Sequence, residues 1–225
     1  VVIDRDLDSA RETVSIIHSE GGGASPEEAD VSSAKSIKRL VDSVLAKHDR
    51  IDILHNNVGI VELGGPVEQS EEDWRRAMDA NLTSVFLTCK FILPIMEHQQ
   101  HGVVTNISSL ASIRYAGTPW ISYSASKGGV NQLTQAVALQ YARSGVRANA
   151  ILPGLMNTPM TIEPHRGGYR DLDEMTRARH ERCPPGFMGD AWDVAYLAAF
   201  LASPRARYIN GAMIPVDGGI SGAVP

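Results

Sequence analysis

The chain has 225 residues, of which 43% are hydrophobic, enough for one globular domain spanning 1–225 with a sizeable core. A net charge of −5 without any basic run argues against a nucleic-acid partner, and no apolar stretch approaches the length expected of a membrane span. Two cysteines, Cys89 and Cys183, give neither a disulfide framework nor a metal-ligand spacing, and the opening Val-Val-Ile followed by charge has no signal-peptide character, so a reducing, cytoplasmic setting is expected.

Val1-Val2-Ile3 reads as the end of a buried strand, with Asp4-Arg5-Asp6 turning into a helix over Arg11–Ser19. Gly21-Gly22-Gly23 ends that helix and leads no other, so it is read as a loop. A strand is expected in Gly23–Ala29, at a sheet edge because Pro26 lacks a backbone donor. A helix follows over Ser33–His48, with Ile37, Leu40, Val41, Val44 and Leu45 on one face. Ile51–His55 forms the next strand and runs into Asn56-Asn57-Val58-Gly59. Glu71–Met96 holds two helical stretches, with a kink expected at Pro94. The apolar run Val103–Ile107 ends in Ser108-Ser109, and Val146–Leu152 in Pro153-Gly154. Asp190 opens an apolar helix, and Ala212–Val216 is a last strand.

Between the last two long strands lies Ser122-Tyr-Ser-Ala-Ser-Lys-Gly-Gly129, at the head of a segment with helical periodicity. Tyr123 and Lys127 stand four apart and therefore share a helix face. A phenol, with an ordinary pKa of ~10, is a poor proton-transfer group at neutral pH. A neighbouring cation lowers that value, so the pair is a candidate acid–base device.

Strand, loop, Tyr-x-x-x-Lys helix, strand and Pro-Gly in this order resemble the short-chain dehydrogenase/reductase family. The resemblance spans essentially the whole chain and continues through Asn56-Asn57-Val58-Gly59, Asn81 and Val216-Asp217-Gly218-Gly219. It implies an α/β fold: a Rossmann-type doubly wound parallel sheet with helices on both faces. It also implies an NAD(P)-dependent oxidoreductase that interconverts a secondary alcohol and a ketone. Tyr123 would move the proton, Lys127 would tune it and hold the nicotinamide ribose, Ser109 would polarise the substrate oxygen, and Asn81 would hold a water beside the lysine. Ser109 precedes Tyr123 by one residue more than is common in the family, with Ser108 as the lesser candidate. Val58 and His55 stand where the family has smaller or apolar residues, and His55 is read as a packing substitution.

For the cofactor, the resemblance points to Asp4 at a strand end against the adenine ribose, favouring NAD, although Arg5 beside it leaves NADP possible. Asp30 and Val31 would flank the adenine, Asn57 and Gly59 the ribose, and Met156 and Thr158 the nicotinamide end. Residues 155–189 would form the substrate lid. The family's opening strand, glycine-rich turn and helix, which hold the pyrophosphate, have no counterpart, a deficit of roughly 30 residues. Partners would be a small alcohol or ketone and further copies of the chain, as a dimer or tetramer. Two alternatives remain open at this point: a reductase of carrier-protein-bound 3-ketoacyl groups, and a non-catalytic interaction protein without a phosphate loop.

Overall fold

A computed structural model describes residues 1–115, 117–162 and 169–223. Residues 163–168 of the expected lid lie outside the described residues. Strands β1 (Val2–Asp4), β2 (Pro26–Glu28), β3 (Ile53–Asn56), β4 (Gly102–Ile107), β5 (Val146–Pro153) and β6 (Met213–Val216) all pair in parallel. The connections are helical: α1 (Leu7–Ser19), α2 (Ala34–His48), α3 (Glu71–Met78), α4 (Ser84–Gln99), α5 (Ile121–Tyr141), the short α6 (Pro159–Ile162), α7 (Leu172–Arg182) and α8 (Ala191–Ala202).

Local chemistry sets most helix starts. The carboxylate of Asp6 accepts the N–H of Asp8, the hydroxyls of Ser33 and Ser70 accept those of Ser36 and Asp73, and Asp190 forms a capping box with Asp193. Each side chain satisfies a donor that the first helical turn leaves without a partner.

Both faces of the larger sheet are covered, which is why β4 and β5 are almost continuously buried. On one face α2, α4 and α5 pack Ile37, Val41, Ile92, Met96, Val130 and Val137 against Leu54, Val104 and Ala148. On the other face Leu201 of α8 packs on Ile151, with Val194, Leu197 and Ile214 around it. Arg147 crosses from β5 to the end of α8 and donates to the carbonyl of Leu201 in its last turn and to that of Ser203, which also accepts the Ala206 N–H.

The strands fall into two groups, a pair β1-β2 and a four-stranded set β3-β4-β5-β6. Among the described residues neither β1 nor β3 has a strand on its second side. Apolar side chains stand in solvent there: Ile3 is 38% exposed and Ile53 52%. Pro26 lies in β2, which among the described residues pairs only with β1, as the edge position requires.

Two expectations need correction. α3 and α4 are continuous through a π-helical turn, Asp79–Thr83, and α4 runs on through Pro94 without interruption. The two expected helical stretches are thus one run, joined by the π turn that carries Asn81. The combined run Glu71–Gln99 is also long and apolar enough to cross a membrane, contrary to the reading of the sequence. Val85, Leu87, Ile92, Leu93 and Met96 of that run are buried in the core, which accounts for its apolar character.

Candidate active site

The site forms where the C-terminal ends of β3 and β4 meet the first turns of α5. Tyr123 and Lys127 lie on successive turns of α5, on the face that also buries Ser122, Ser126 and Asn131. Two glycines follow the lysine, and a Cβ at Gly129 would fall 2.6 Å from Leu82 Cδ2. Glycine inside a helix costs ~1 kcal/mol relative to alanine, but here it lets α5 lie against the π turn.

Ser109 leaves β4 in an extended conformation, and its hydroxyl accepts the N–H of Ala111 at 3.1 Å. The same hydroxyl lies close enough to the Tyr123 phenol to hold its pKa down. Its neighbour Ser108 is buried and donates to the Lys127 carbonyl at 3.1 Å, so it serves the helix backbone and not the cleft. The Lys127 ammonium is buried, donates to the Ile107 carbonyl at 2.8 Å, and lies 5.7 Å from the centre of the Tyr123 ring. Trp120 meets that ring edge-on, with centres 6.0 Å apart.

Asn81 is fully buried, and the π turn aims its amide at the chain after Gly59. Its oxygen accepts the Ile60 N–H at 2.7 Å, and its nitrogen donates to the Ile60 carbonyl at 3.0 Å and to Ser126 Oγ at 3.1 Å. π turns recur at functional positions because the extra residue redirects one side chain. Gly59 lies between the two polar groups: a Cβ there would be 3.2 Å from Lys127 Nζ and 3.4 Å from Asn81 Oδ1.

Burial sets the electrostatics. It drives the Lys127 ammonium down to about 8 and pushes the Tyr123 phenol up, partly offset by the Ser109 hydroxyl. The net shift of the phenol is upward, because burial outweighs the groups that favour its charged form. Desolvation of both groups dominates, and the ammonium is hydrogen-bonded to Ile107.

The expected cofactor residues are more scattered. Asp4 is exposed at the end of β1, where one carboxylate oxygen accepts the Asp6 N–H at 3.0 Å. Asp30, also exposed, accepts both the backbone and the hydroxyl of Ser32, which hold its carboxyl below the usual range with some help from the Arg5 charge. That electrostatic contact places Asp4, Arg5 and Asp30 at one end of the β1-β2 pair. Val31 packs against the main core, while Asn57 is exposed beyond β3. Met156 is buried and lies opposite Gly189, which bonds to Leu155 and Asn157 on either side of it. In a parallel bridge this turns the N–H and C=O of Met156 itself away from Gly189. Thr158 is half-buried just before α6.

Reasoning from sequence missed Trp120, Ser126 and the Ile60 backbone. Ser126 alone had a signal: a polar residue on the apolar face of a helix needs a buried partner.

A parallel α/β sheet with a phenol, an ammonium and a serine hydroxyl at its C-terminal edge defines a nucleotide-dependent dehydrogenase of the doubly wound class. A family model described as enoyl-(acyl carrier protein) reductase matches residues 1–221. The 3β-hydroxysteroid dehydrogenase 1 of Eggerthella lenta is 40% identical over 222 residues, covering 96% of this chain and 81% of that protein. Glucose 1-dehydrogenase 2 of Bacillus subtilis is 36% identical over 218 residues, 96% of this chain and 82% of that one. Among solved structures, a short-chain dehydrogenase/reductase structure from Burkholderia xenovorans superposes with a TM-score of 0.95 at 42% identity, covering 99% of this chain and 85% of that chain. A gluconate 5-dehydrogenase from Burkholderia cenocepacia, solved with NADP and tartrate, gives 0.89 at 30%, with the same coverage. The chain belongs to the short-chain dehydrogenase/reductase family, and it is an NAD(P)-dependent oxidoreductase acting on CH–OH groups.

Proposed function

We propose that the chain interconverts a small secondary alcohol and its ketone through Ser109, Tyr123, Lys127 and Asn81, with NAD preferred over NADP. The observation that carries this reading is the Ser109 hydroxyl beside the Tyr123 phenol, with a buried ammonium one turn further along the helix. Two neighbouring hydroxyls offer one substrate oxygen two donors. Tyr123 gives its proton to that oxygen in reduction and takes it back in oxidation, as general acid and base. Ser109 polarises the same oxygen from a fixed position. Lys127 supplies the positive charge that stabilises a phenolate when the proton leaves, and Asn81 holds the chain at Gly59 and Ile60 against the ammonium. A water on the Asn81 amide, linking Lys127 to solvent, belongs to the same proposal.

The residues fit a dinucleotide at its two ends. At Gly59 the backbone is free of a Cβ that would crowd Lys127, which leaves room for a ribose there. Lys127 and Asn57 would hold the nicotinamide ribose, Met156 and Thr158 the nicotinamide end, and Asp4, Asp30 and Val31 the adenosine end. Once bound, the nicotinamide supplies or accepts the hydride. Asp4, at the strand end, accepts ribose hydroxyls and repels a 2′-phosphate, which supports NAD. The two bare strand edges support a further β-α unit between β1 and β3, bearing the pyrophosphate turn that Gly21-Gly22-Gly23 does not provide.

The relatives are named for steroid, sugar and sugar-acid substrates, all of which bear CH–OH groups. A homo-oligomer is part of the reading, supported by Trp192, Tyr196 and Phe200, which stand in solvent four residues apart on α8. The two buried free thiols, Cys89 and Cys183, support a reducing, cytoplasmic setting. The test is turnover of a panel of secondary alcohols with NAD and NADP, followed by nicotinamide absorbance. Activity on members of the panel is expected, and its absence with both cofactors would overturn the reading.

A further inference from the structure

We propose that Asn131 is a positioning residue that holds Ser109 in register with Tyr123, acting through Ser112; this rests on the roles given above to the two hydroxyls. Ser109 is followed by a single 3-10 turn, Leu110–Ser112. Its carbonyl accepts two bonds from Ser112, from the N–H at 3.0 Å and from the hydroxyl at 2.5 Å. A hydroxyl has one proton, and that of Ser112 is committed to Ser109, so its oxygen meets any other partner as an acceptor. The partner is Asn131, whose Nδ2 donates to Ser112 Oγ at 2.8 Å.

Asn131 lies one turn beyond Lys127 on the buried face of α5 and is 3% exposed. The helix that carries Tyr123 thus reaches Ser109 twice. It meets the side chain through the phenol and the backbone carbonyl through Asn131 and Ser112. The second link fixes where the peptide of Ser109 sits, and with it where Oγ stands relative to the phenol.

The chemistry of the position favours direction over packing. Asn131 Oδ1 is buried and has no partner among the described residues. An apolar side chain would fill the same site without desolvating an amide oxygen. What only the amide supplies is a donor aimed at Ser112.

Asn131→Leu and Ser112→Ala each break the link. Both are expected to lower kcat by about 10- to 100-fold, the scale of a reacting group displaced by a fraction of an ångström to one ångström, with the cofactor KM unchanged. The double variant should lose no more than either single one, and in a Ser109→Ala background neither substitution should lower kcat further. A second readout is independent of turnover. The phenol of Tyr123 is titrated by ultraviolet difference spectroscopy, as parent minus Tyr123→Phe. Loosening Ser109 weakens the interaction that opposes burial, so both variants should shift this titration to higher pH, and the shift should vanish when Ser109 is alanine. Additive losses, an undiminished effect without Ser109, or an unmoved titration would each overturn the proposal. If the parent turns over no alcohol, the functional reading fails, and the titration still decides whether Asn131 positions Ser109.

Discussion

The ammonium of Lys127 donates to the carbonyl of Ile107 at the end of β4, not to the phenol one turn before it on the same helix. The bond secures the lysine in a buried place at the expense of its charge, since burial lowers its pKa to about 8.

That shift has a sign. Below about 8 the lysine is protonated in both the folded and the unfolded chain, and the folded state bears the full desolvation penalty. Between about 8 and the ordinary value of 10.5 the unfolded chain binds more protons, so this group makes stability rise with pH. Lys127→Met should abolish that rise. Denaturant melts of parent and variant at roughly pH 7 and roughly pH 10 should differ by a few kcal/mol less at the higher pH. An unchanged difference would show that the ammonium is not desolvated.

Tyr123→Phe keeps the ring that Trp120 meets and deletes only the hydroxyl. Melting temperature and dinucleotide affinity should survive while kcat falls by ~10²–10⁴-fold, the usual range for general acid–base catalysis. Near-parental turnover would remove Tyr123 from the chemistry.

Asp4 is exposed, and only one of its oxygens is tied to the Asp6 backbone. Asp4→Ala should lower the ratio of kcat/KM for NAD to that for NADP by about 10- to 100-fold, the equivalent of losing one hydrogen bond to a charged group. A parent that already prefers NADP would transfer the choice to Arg5.

Filling the break between β1 and β3 is the fourth test. A version extended upstream by a strand, a glycine-rich turn and a helix should bind NAD more tightly than the 225-residue chain and melt higher. Equal affinities would show that no pyrophosphate turn belongs there.

The sequence made some of this legible because local rules decide it. Ser33 and Asp190 announce helix starts through their caps, and the four-residue spacing of Tyr123 and Lys127 already places them on one face. Asn81 stood out as an amide among apolar residues, but the π turn that aims it has no periodic signature. The net direction of the Tyr123 shift was not legible. Spacing shows which groups are neighbours, whereas the net pKa depends on how much water the rest of the fold removes. The Asn131–Ser112 link was invisible for a similar reason. Two polar residues nineteen positions apart meet only because the 3-10 turn after β4 is packed against α5.

The π turn at Asp79–Thr83 constrains chain length in a way no side chain does. It amounts to one residue inserted into a helix that is otherwise regular on both sides. Deleting one residue there would restore the ordinary hydrogen-bond pattern and leave the helix on either side in its present register, so Val85, Leu87, Ile92 and Met96 would keep their places in the core. The loss would fall on the turn itself, where Asn81 would no longer be aimed at Ile60 and Ser126. The length of this segment is therefore as much a part of the site as the identity of the asparagine.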